Sequence, residues 1–107
     1  MSSTLEVQIQ QLLKPLDPLE IILFGSRASN RFWKDSDVDL LVVLREQGIC
    51  RTYSEKRAKR RKVRDALRPL SGEFAFDLLV YTADEWRQLK QSKAPFLQEV
   101  LSSGKEL

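Results

Sequence analysis

The residues best suited to chemistry are three aspartates that lie in apolar segments. Asp37 and Asp39 begin the run 37–44, and Asp77 lies within the run 74–81. Both runs are rich in apolar residues and are predicted to be strands. Because side chains alternate along a strand, Asp37 and Asp39 face the same side, with their Cα atoms about 6.6 Å apart. If the two strands pair, three carboxylates meet on one face of the sheet.

Such a cluster of like charges destabilises the fold unless another interaction offsets the repulsion. Two charges about 4 Å apart repel by about 4 kcal/mol at an effective dielectric constant near 20. A domain whose total stability is about 5–15 kcal/mol needs protonation, basic neighbours or a bound cation to hold three of them together. Hard divalent cations, Mg²⁺ above all, prefer oxygen ligands of this kind. For Asp37 a turn is an alternative interpretation, because Asp35-Ser36-Asp37 is also typical of turns.

The composition removes several classes of site. The chain has 107 residues, no histidine and a single cysteine, Cys50. The lack of histidine excludes Ser-His-Asp and Cys-His hydrolases and histidine-ligated zinc. One cysteine cannot form an internal disulfide, and no apolar run approaches the roughly 20 residues of a membrane span. We therefore expect one domain over residues 1–107, cytoplasmic and without a membrane partner.

A second candidate site lies where the apolar run 19–24 ends at Gly25. Ser26 follows and opens a predicted short helix that reaches about Asn30. Glycine permits a tight turn and a close backbone approach, and a helix N-terminus offers free N–H groups to an anion. A simple turn explains a Gly-Ser pair equally well, so the pair is informative only through its position, with Ser26 eleven residues before Asp37.

The remaining pattern places helices around these strands. Capping boxes are predicted at Ser3, Thr52 and Thr82, each followed three residues later by glutamate. The predicted helices cover Ser3–Lys14, 26–30, Thr52–Arg68, a segment beginning at Thr82, and Pro95 to about Gly104; the predicted strands cover 19–24, 37–44 and 74–81. This order predicts an α/β (α+β) fold, a small mixed β-sheet of at least three strands with helices packed on it.

The helix predicted over Arg51–Arg68 is strongly basic. It contains nine Lys or Arg and two acids, Glu55 and Asp65, so its balance is +7, whereas the rest of the chain is at −4. Such a face suggests a nucleic acid or an acidic partner, and a solvated helix face is the alternative. The predicted apolar stripe of this helix is thin, and its members are Tyr53, Val63, Ala66 and Leu67.

The segment Leu23–Val43 resembles the signature of the polymerase-β-type nucleotidyltransferase superfamily. It combines an apolar strand, Gly25-Ser26, and Asp37-Val38-Asp39 in a second strand, with Asp77 as the acid of a later strand. More narrowly, the chain is similar to the small stand-alone minimal nucleotidyltransferases.

The resemblance implies a role for each matching residue. Asp37, Asp39 and Asp77 would be catalytic and would bind two Mg²⁺ ions, or Mn²⁺, together with a nucleotide. Gly25 and Ser26 would hold the nucleotide phosphates, and the following Arg27 is the remaining candidate for nucleotide binding. The implied reaction transfers a nucleoside monophosphate, AMP, from a nucleoside triphosphate, ATP, to an acceptor hydroxyl.

The size of the chain bears on the acceptor. A chain of 107 residues leaves no room for a second domain that grips the acceptor, and small relatives are often paired with a helical HEPN-type protein in toxin–antitoxin systems. The resemblance therefore implies a hydroxyl on such a partner. Two alternatives stay open: a non-catalytic antitoxin that masks its partner while still binding metal and nucleotide, and a nucleic-acid-binding module that uses Arg51–Arg68.

Overall fold

A computed structural model describes residues 3–25 and 37–107. These residues form helices α1 (Ser3–Leu13), α2 (Tyr53–Ala66), α3 (Ala83–Ser92) and α4 (Pro95–Ser103), and strands β1 (Glu20–Phe24), β2 (Val38–Val43), β3 (Phe76–Tyr81) and β4 (Lys105–Glu106). Short 3₁₀ helices cover Lys14–Leu16 and Arg68–Leu70. The helix predicted over 26–30 and the side chain of Ser3 lie outside this description. None of the described helices combines the length and the apolar character that a membrane crossing requires.

The strands form one mixed sheet, as predicted. Over the described residues the order is β3-β2-β1-β4, in which β1 is antiparallel to both of its neighbours and β2 is parallel to β3. A parallel pair needs a crossover connection, and α2 supplies it. Strand β4 was not predicted, because its two residues are too short to show an alternating pattern.

Both faces of the sheet are covered by helices. One face carries Val38, Leu40 and Val42 of β2, and these pack with residues of α1 and α2. The opposite face carries Leu41 and Val43, which pack with residues of α3 and α4. The helix residues that complete the first cluster include Ile9, Leu13, Val63 and Leu67, and those of the second are Trp86, Leu97 and Val100. Burial on both faces explains why β2 is almost continuously apolar.

Helices α2 and α4 leave some of their large apolar or aromatic side chains exposed. In α2, Val63 is buried, whereas the ring of Tyr53 is 69% exposed. Tyr53 lies ten residues before Val63, which places it about 80° around the helix from Val63. In α4, Leu97 is buried, but Phe96 and Leu101 point outward and are about half exposed. The helix ends at Gly104 as predicted, where a Cβ atom would lie 2.8 Å from Ile22 Cγ2.

The two predicted capping boxes within the described side chains differ. At α3 the box is complete: Thr82 Oγ1 accepts from the Glu85 N–H at 3.1 Å, and Glu85 Oε1 accepts from the Thr82 N–H at 2.9 Å. At α2, Thr52 Oγ1 accepts from the Glu55 N–H, but the Glu55 carboxylate accepts from the N–H of Arg51 instead of that of Thr52. The α2 box is therefore only half formed.

The cap of α3 is expected to stabilise the fold more than the cap of α2. Thr82 is 1% exposed, and its hydroxyl also donates to the carbonyl of Gly48. Thr82→Ala removes the cap and leaves that carbonyl without this donor, so we expect a loss of about 2 kcal/mol in the free energy of unfolding. Thr52→Ala, at an exposed cap of the same chemistry, should cost about 1 kcal/mol or less. Urea unfolding of both variants measures this, and equal losses would contradict the distinction.

Candidate active site

The candidate site is built where β2 and β3 begin side by side. In their parallel register Asp39 is the partner of Asp77, one step after the pair Val38 and Phe76. Neighbouring strands are about 4.8 Å apart, and partners in a parallel pair face the same side of the sheet. The two strands therefore do pair, which is the condition under which the sequence brings these carboxylates to one face. The Asp39 side chain is half-buried and that of Asp77 is exposed.

Electrostatics connect these two carboxylates with Asp37, which is exposed directly before β2. Burial raises the pKa of Asp39 above its ordinary value, and the negative charges of Asp77 and then of Asp37 raise it further. Among residues 3–25 and 37–107, none of the ion pairs involves any of the three. The fold therefore holds three mutually repelling carboxylates at one end of the sheet.

The donor chemistry of this cluster fits a hard cation. All of its donors are carboxylate oxygens, the ligands that Mg²⁺ prefers. In the part of the chain that the structure describes, no three Asp, Glu, Cys or His side chains already lie close enough together to form a complete ligand set. Asp39 and Asp77 are adjacent through the strand register, whereas Asp37 is joined to them only by its charge.

Gly25 borders Asp39 on the side away from Asp77. It follows Phe24, the β1 partner of Asp39, and its φ of +76° belongs to the left-handed region that favours glycine. A Cβ atom at Gly25 would collide with the Asp39 carboxylate and lie 3.2 Å from Asp39 Cγ. The sequence predicted a close backbone approach at Gly25 but not that a catalytic candidate would be the neighbour. Ser26 and Arg27 lie outside the described residues, and their roles stay predictions.

An aromatic pair flanks the carboxylates. The ring of Phe24 lies on the same face as Asp39 and meets the ring of Phe96 edge-on, with a centroid distance of 6.4 Å and an interplanar angle of 86°. Phe96 is 46% exposed, so α4 presents an apolar ring beside the site. The sequence analysis predicted only a helix from Pro95 to about Gly104, and no signal in the sequence marks Phe96 as a neighbour of the site.

The fold is shared with solved nucleotidyltransferase structures. The chain is similar to a toxin–antitoxin crystallised with AMP-PNP, with 23% identity, a TM-score of 0.57, and coverage of 94% of this chain and 70% of the other. A protein of Sulfolobus solfataricus assigned as a nucleotidyltransferase gives 22% identity, a TM-score of 0.53, and coverage of 82% and 72%. A mutant of the toxin–antitoxin MntA–HpeT gives 21%, 0.53, and 94% and 70%. At these identities the likeness concerns the fold.

Sequence comparison identifies the family. No curated protein sequence matches the chain. The model of the polymerase-β nucleotidyltransferase domain matches residues 7–107, nearly the whole chain. The chain belongs to the polymerase-β-type nucleotidyltransferases.

Proposed function

We propose that this nucleotidyltransferase is Mg²⁺-dependent and transfers AMP from ATP to a hydroxyl of a partner protein, with release of pyrophosphate and the hydroxyl proton. The partner is a HEPN-type helical protein, and the two form a toxin–antitoxin pair in the cytoplasm in which residues 1–107 act as one domain. The observation that carries the proposal is the β2–β3 register, which sets Asp39 beside Asp77. The similar toxin–antitoxin structure with AMP-PNP, an analogue of ATP, supports the choice of nucleotide and of partner.

The position of each residue in the sheet gives it a part in the reaction. Asp37, Asp39 and Asp77 would hold the two divalent ions. When bound, such ions keep the attacking and leaving oxygens in line and offset the charge that develops on them. Asp39, half-buried between β1 and β3, has the least freedom of the three. Asp39 is therefore the most firmly positioned of the three proposed metal ligands.

The two sides of Asp39 are assigned to the two substrates. Gly25 lies on the β1 side, where its lack of a side chain makes room for the Asp39 carboxylate, and Ser26 and Arg27, the residues that the resemblance assigns to the nucleotide, follow it in the sequence. The triphosphate therefore binds on this side. Asp77 lies on β3, the edge strand of the described sheet, and its side chain is exposed. The acceptor hydroxyl reaches Asp77 from this open side.

The acceptor has to be positioned by its own protein. Transfer of phosphoryl-type groups depends largely on alignment of the reacting atoms. At an exposed edge strand, a free small molecule with a hydroxyl makes few contacts that could orient it. A folded partner protein can bind over a larger surface and so hold its hydroxyl in one orientation. We therefore expect transfer to a Tyr, Ser or Thr of the partner and negligible transfer to small molecules.

Neutralisation of the partner at low molar ratios distinguishes catalysis from masking. With ATP and Mg²⁺, the wild-type chain at a molar ratio well below one should inactivate an excess of partner, because each molecule acts repeatedly. Asp77→Asn should leave most of the excess partner active. If neutralisation needs equal amounts of the two proteins, proceeds without ATP, and is unchanged in Asp77→Asn, masking is the correct function and transfer is not.

A further inference from the structure

Apart from Lys56, whose ammonium group lies 5.8 Å from the centre of the Tyr81 ring, the basic residues of α2 fall into two groups according to their ion pairs. Lys59 and Lys62 both donate to the carboxylate of Glu46, at 2.7 and 3.0 Å. Just beyond α2, Arg68 binds Asp65 at 2.8 Å. The charges of these three basic residues are thus offset within the protein.

Four arginines of α2 make up the second group, which we call the arginine stripe: Arg57, Arg60, Arg61 and Arg64. Their spacing of three and four residues places them on one face of the helix, over an axial length of about 10 Å. They line a shallow cleft of about 130 Å³. In the described parts of the chain, no carboxylate pairs with any of the four.

An unpaired stripe of this kind destabilises its own helix. Like charges three or four residues apart repel, and the stripe contains four such pairs. The acids on α2 do not relieve the repulsion, because Asp65 binds Arg68 and Glu55 accepts from the backbone of Arg51. A bound polyanion would remove this repulsion, whereas a merely solvated face gains nothing from concentrating arginine on one side.

Aromatic rings stand at both ends of the stripe. Tyr53, in the first turn of α2, is 69% exposed, and the Arg57 guanidinium lies 5.8 Å from the centre of its ring. At the other end, Arg64 lines a cleft of about 230 Å³ together with Phe74 and Phe76. The exposed ring of Tyr53 and the four guanidinium groups therefore follow one another along about three turns of helix, and the half-buried rings of Phe74 and Phe76 lie beyond Arg64.

We propose that the arginine stripe and Tyr53 bind single-stranded nucleic acid, for which single-stranded RNA serves as the probe below. The planar guanidinium group binds phosphate through two parallel hydrogen bonds, and the stripe is made of arginine alone. Exposed aromatic rings stack on unpaired bases, and a positive track combined with such rings is the common design of single-strand binding surfaces. An acidic protein would satisfy the guanidinium groups equally well and is the alternative that the acidic peptide in the test below distinguishes.

This surface is separate from the carboxylate cluster. Helix α2 covers the face of the sheet that carries Val38 and Leu40, whereas Asp39 and Asp77 lie on the opposite face. RNA binding by the stripe consequently does not depend on the proposed transfer reaction. Asp39→Asn should bind RNA as tightly as the wild type does, so failure of one proposal can be told from failure of the other.

Fluorescence anisotropy with a labelled single-stranded RNA of about 12 nucleotides tests the proposal on the full chain. The stripe variant Arg61→Glu/Arg64→Glu should weaken binding at least about tenfold, and the slope of log K against log salt should become shallower by about 0.7 for each phosphate that the variant no longer neutralises. The control Lys62→Glu/Arg68→Glu makes the same change in charge outside the stripe and should change the affinity less than about twofold, because Lys62 and Arg68 already have carboxylate partners. Tyr53→Ala should weaken binding about fivefold or more.

Circular dichroism confirms that each variant is folded, and Arg61→Gln/Arg64→Gln replaces the charge-reversal variant if that one is not. Equal losses of affinity in the stripe and control variants would overturn the proposal, because the binding would then follow net charge alone. So would an acidic peptide that binds as tightly as RNA while Tyr53→Ala has no effect, since the surface would then be built for a protein.

Discussion

Asp39→Asn is expected to abolish the stabilisation of this protein by Mg²⁺ and ATP while leaving the ligand-free fold at least as stable as the wild type. The wild-type carboxylate is half-buried, and its pKa is raised by burial and by the charges of Asp77 and Asp37. Its ionised form is therefore disfavoured in the fold. A neutral amide of the same shape relieves that repulsion and removes a ligand that a cation needs.

Thermal unfolding with and without ligand measures both parts of this expectation. A ligand present at about 100 times its Kd and bound only to the folded state stabilises by about 2.7 kcal/mol. In a domain of about 100 residues this corresponds to roughly 10–20 °C in Tm. Asp77→Asn should also lose the shift. The control Asp65→Asn, on α2, should keep it. An unchanged response in both Asp39→Asn and Asp77→Asn would remove these residues from the site.

Gly25→Ala is expected to abolish transfer although the change adds only a methyl group. The methyl group would collide with the Asp39 carboxylate, so either the end of β1 or the carboxylate must move. A displacement of about 1 Å at a reacting group can cost about a hundredfold in rate. In addition, alanine at a positive φ costs about 1–2 kcal/mol of stability.

Gly48→Ala separates the effect on the site from the effect of backbone strain. Gly48 has a φ of +90°, and a Cβ atom there would meet nothing within 4 Å. Both glycine variants should lose about 1–2 kcal/mol of stability, but only Gly25→Ala should lose transfer and the response to Mg²⁺ and ATP. Full activity in Gly25→Ala, or equal loss of activity in the two variants, would show that the approach of Gly25 to Asp39 is unimportant.

The local parts of the fold could be predicted because their signals are local. The capping box at Thr82 and the turn glycine at position 25 depend on a few neighbouring residues, and the structure contains both. Alternation along the strands correctly placed Asp77 on the face opposite Leu78. These features follow from local backbone geometry, which depends on residues that are close together in the sequence.

The long-range parts could not be predicted in the same way. Nothing in the local sequence of Lys105–Glu106 indicates a strand, since the pairing of β4 depends on where α4 returns the chain to β1. The close approach of Gly25 to Asp39 depends on the β1–β2 register, which pairs Phe24 with Asp39. The local sequence around either residue does not specify that register.

The basic helix shows the same limit. From the sequence, all nine basic residues of Arg51–Arg68 were equivalent. The structure distinguishes them by their partners: Glu46, in the loop after β2, approaches Lys59 and Lys62, and Asp65 binds Arg68. The residues that remain unpaired, and hence the candidate nucleic-acid surface, could therefore be recognised only after the chain was folded.

The most direct test of the proposed transfer is the intact mass of the HEPN-type partner after incubation with this protein, ATP and Mg²⁺. With the wild type, the partner should gain the mass of at least one AMP, located on a Tyr, Ser or Thr. It should gain nothing with Asp39→Asn or Asp77→Asn, or when ATP is omitted. An unmodified partner that is nevertheless neutralised by the wild type and by both aspartate variants would contradict the proposed reaction.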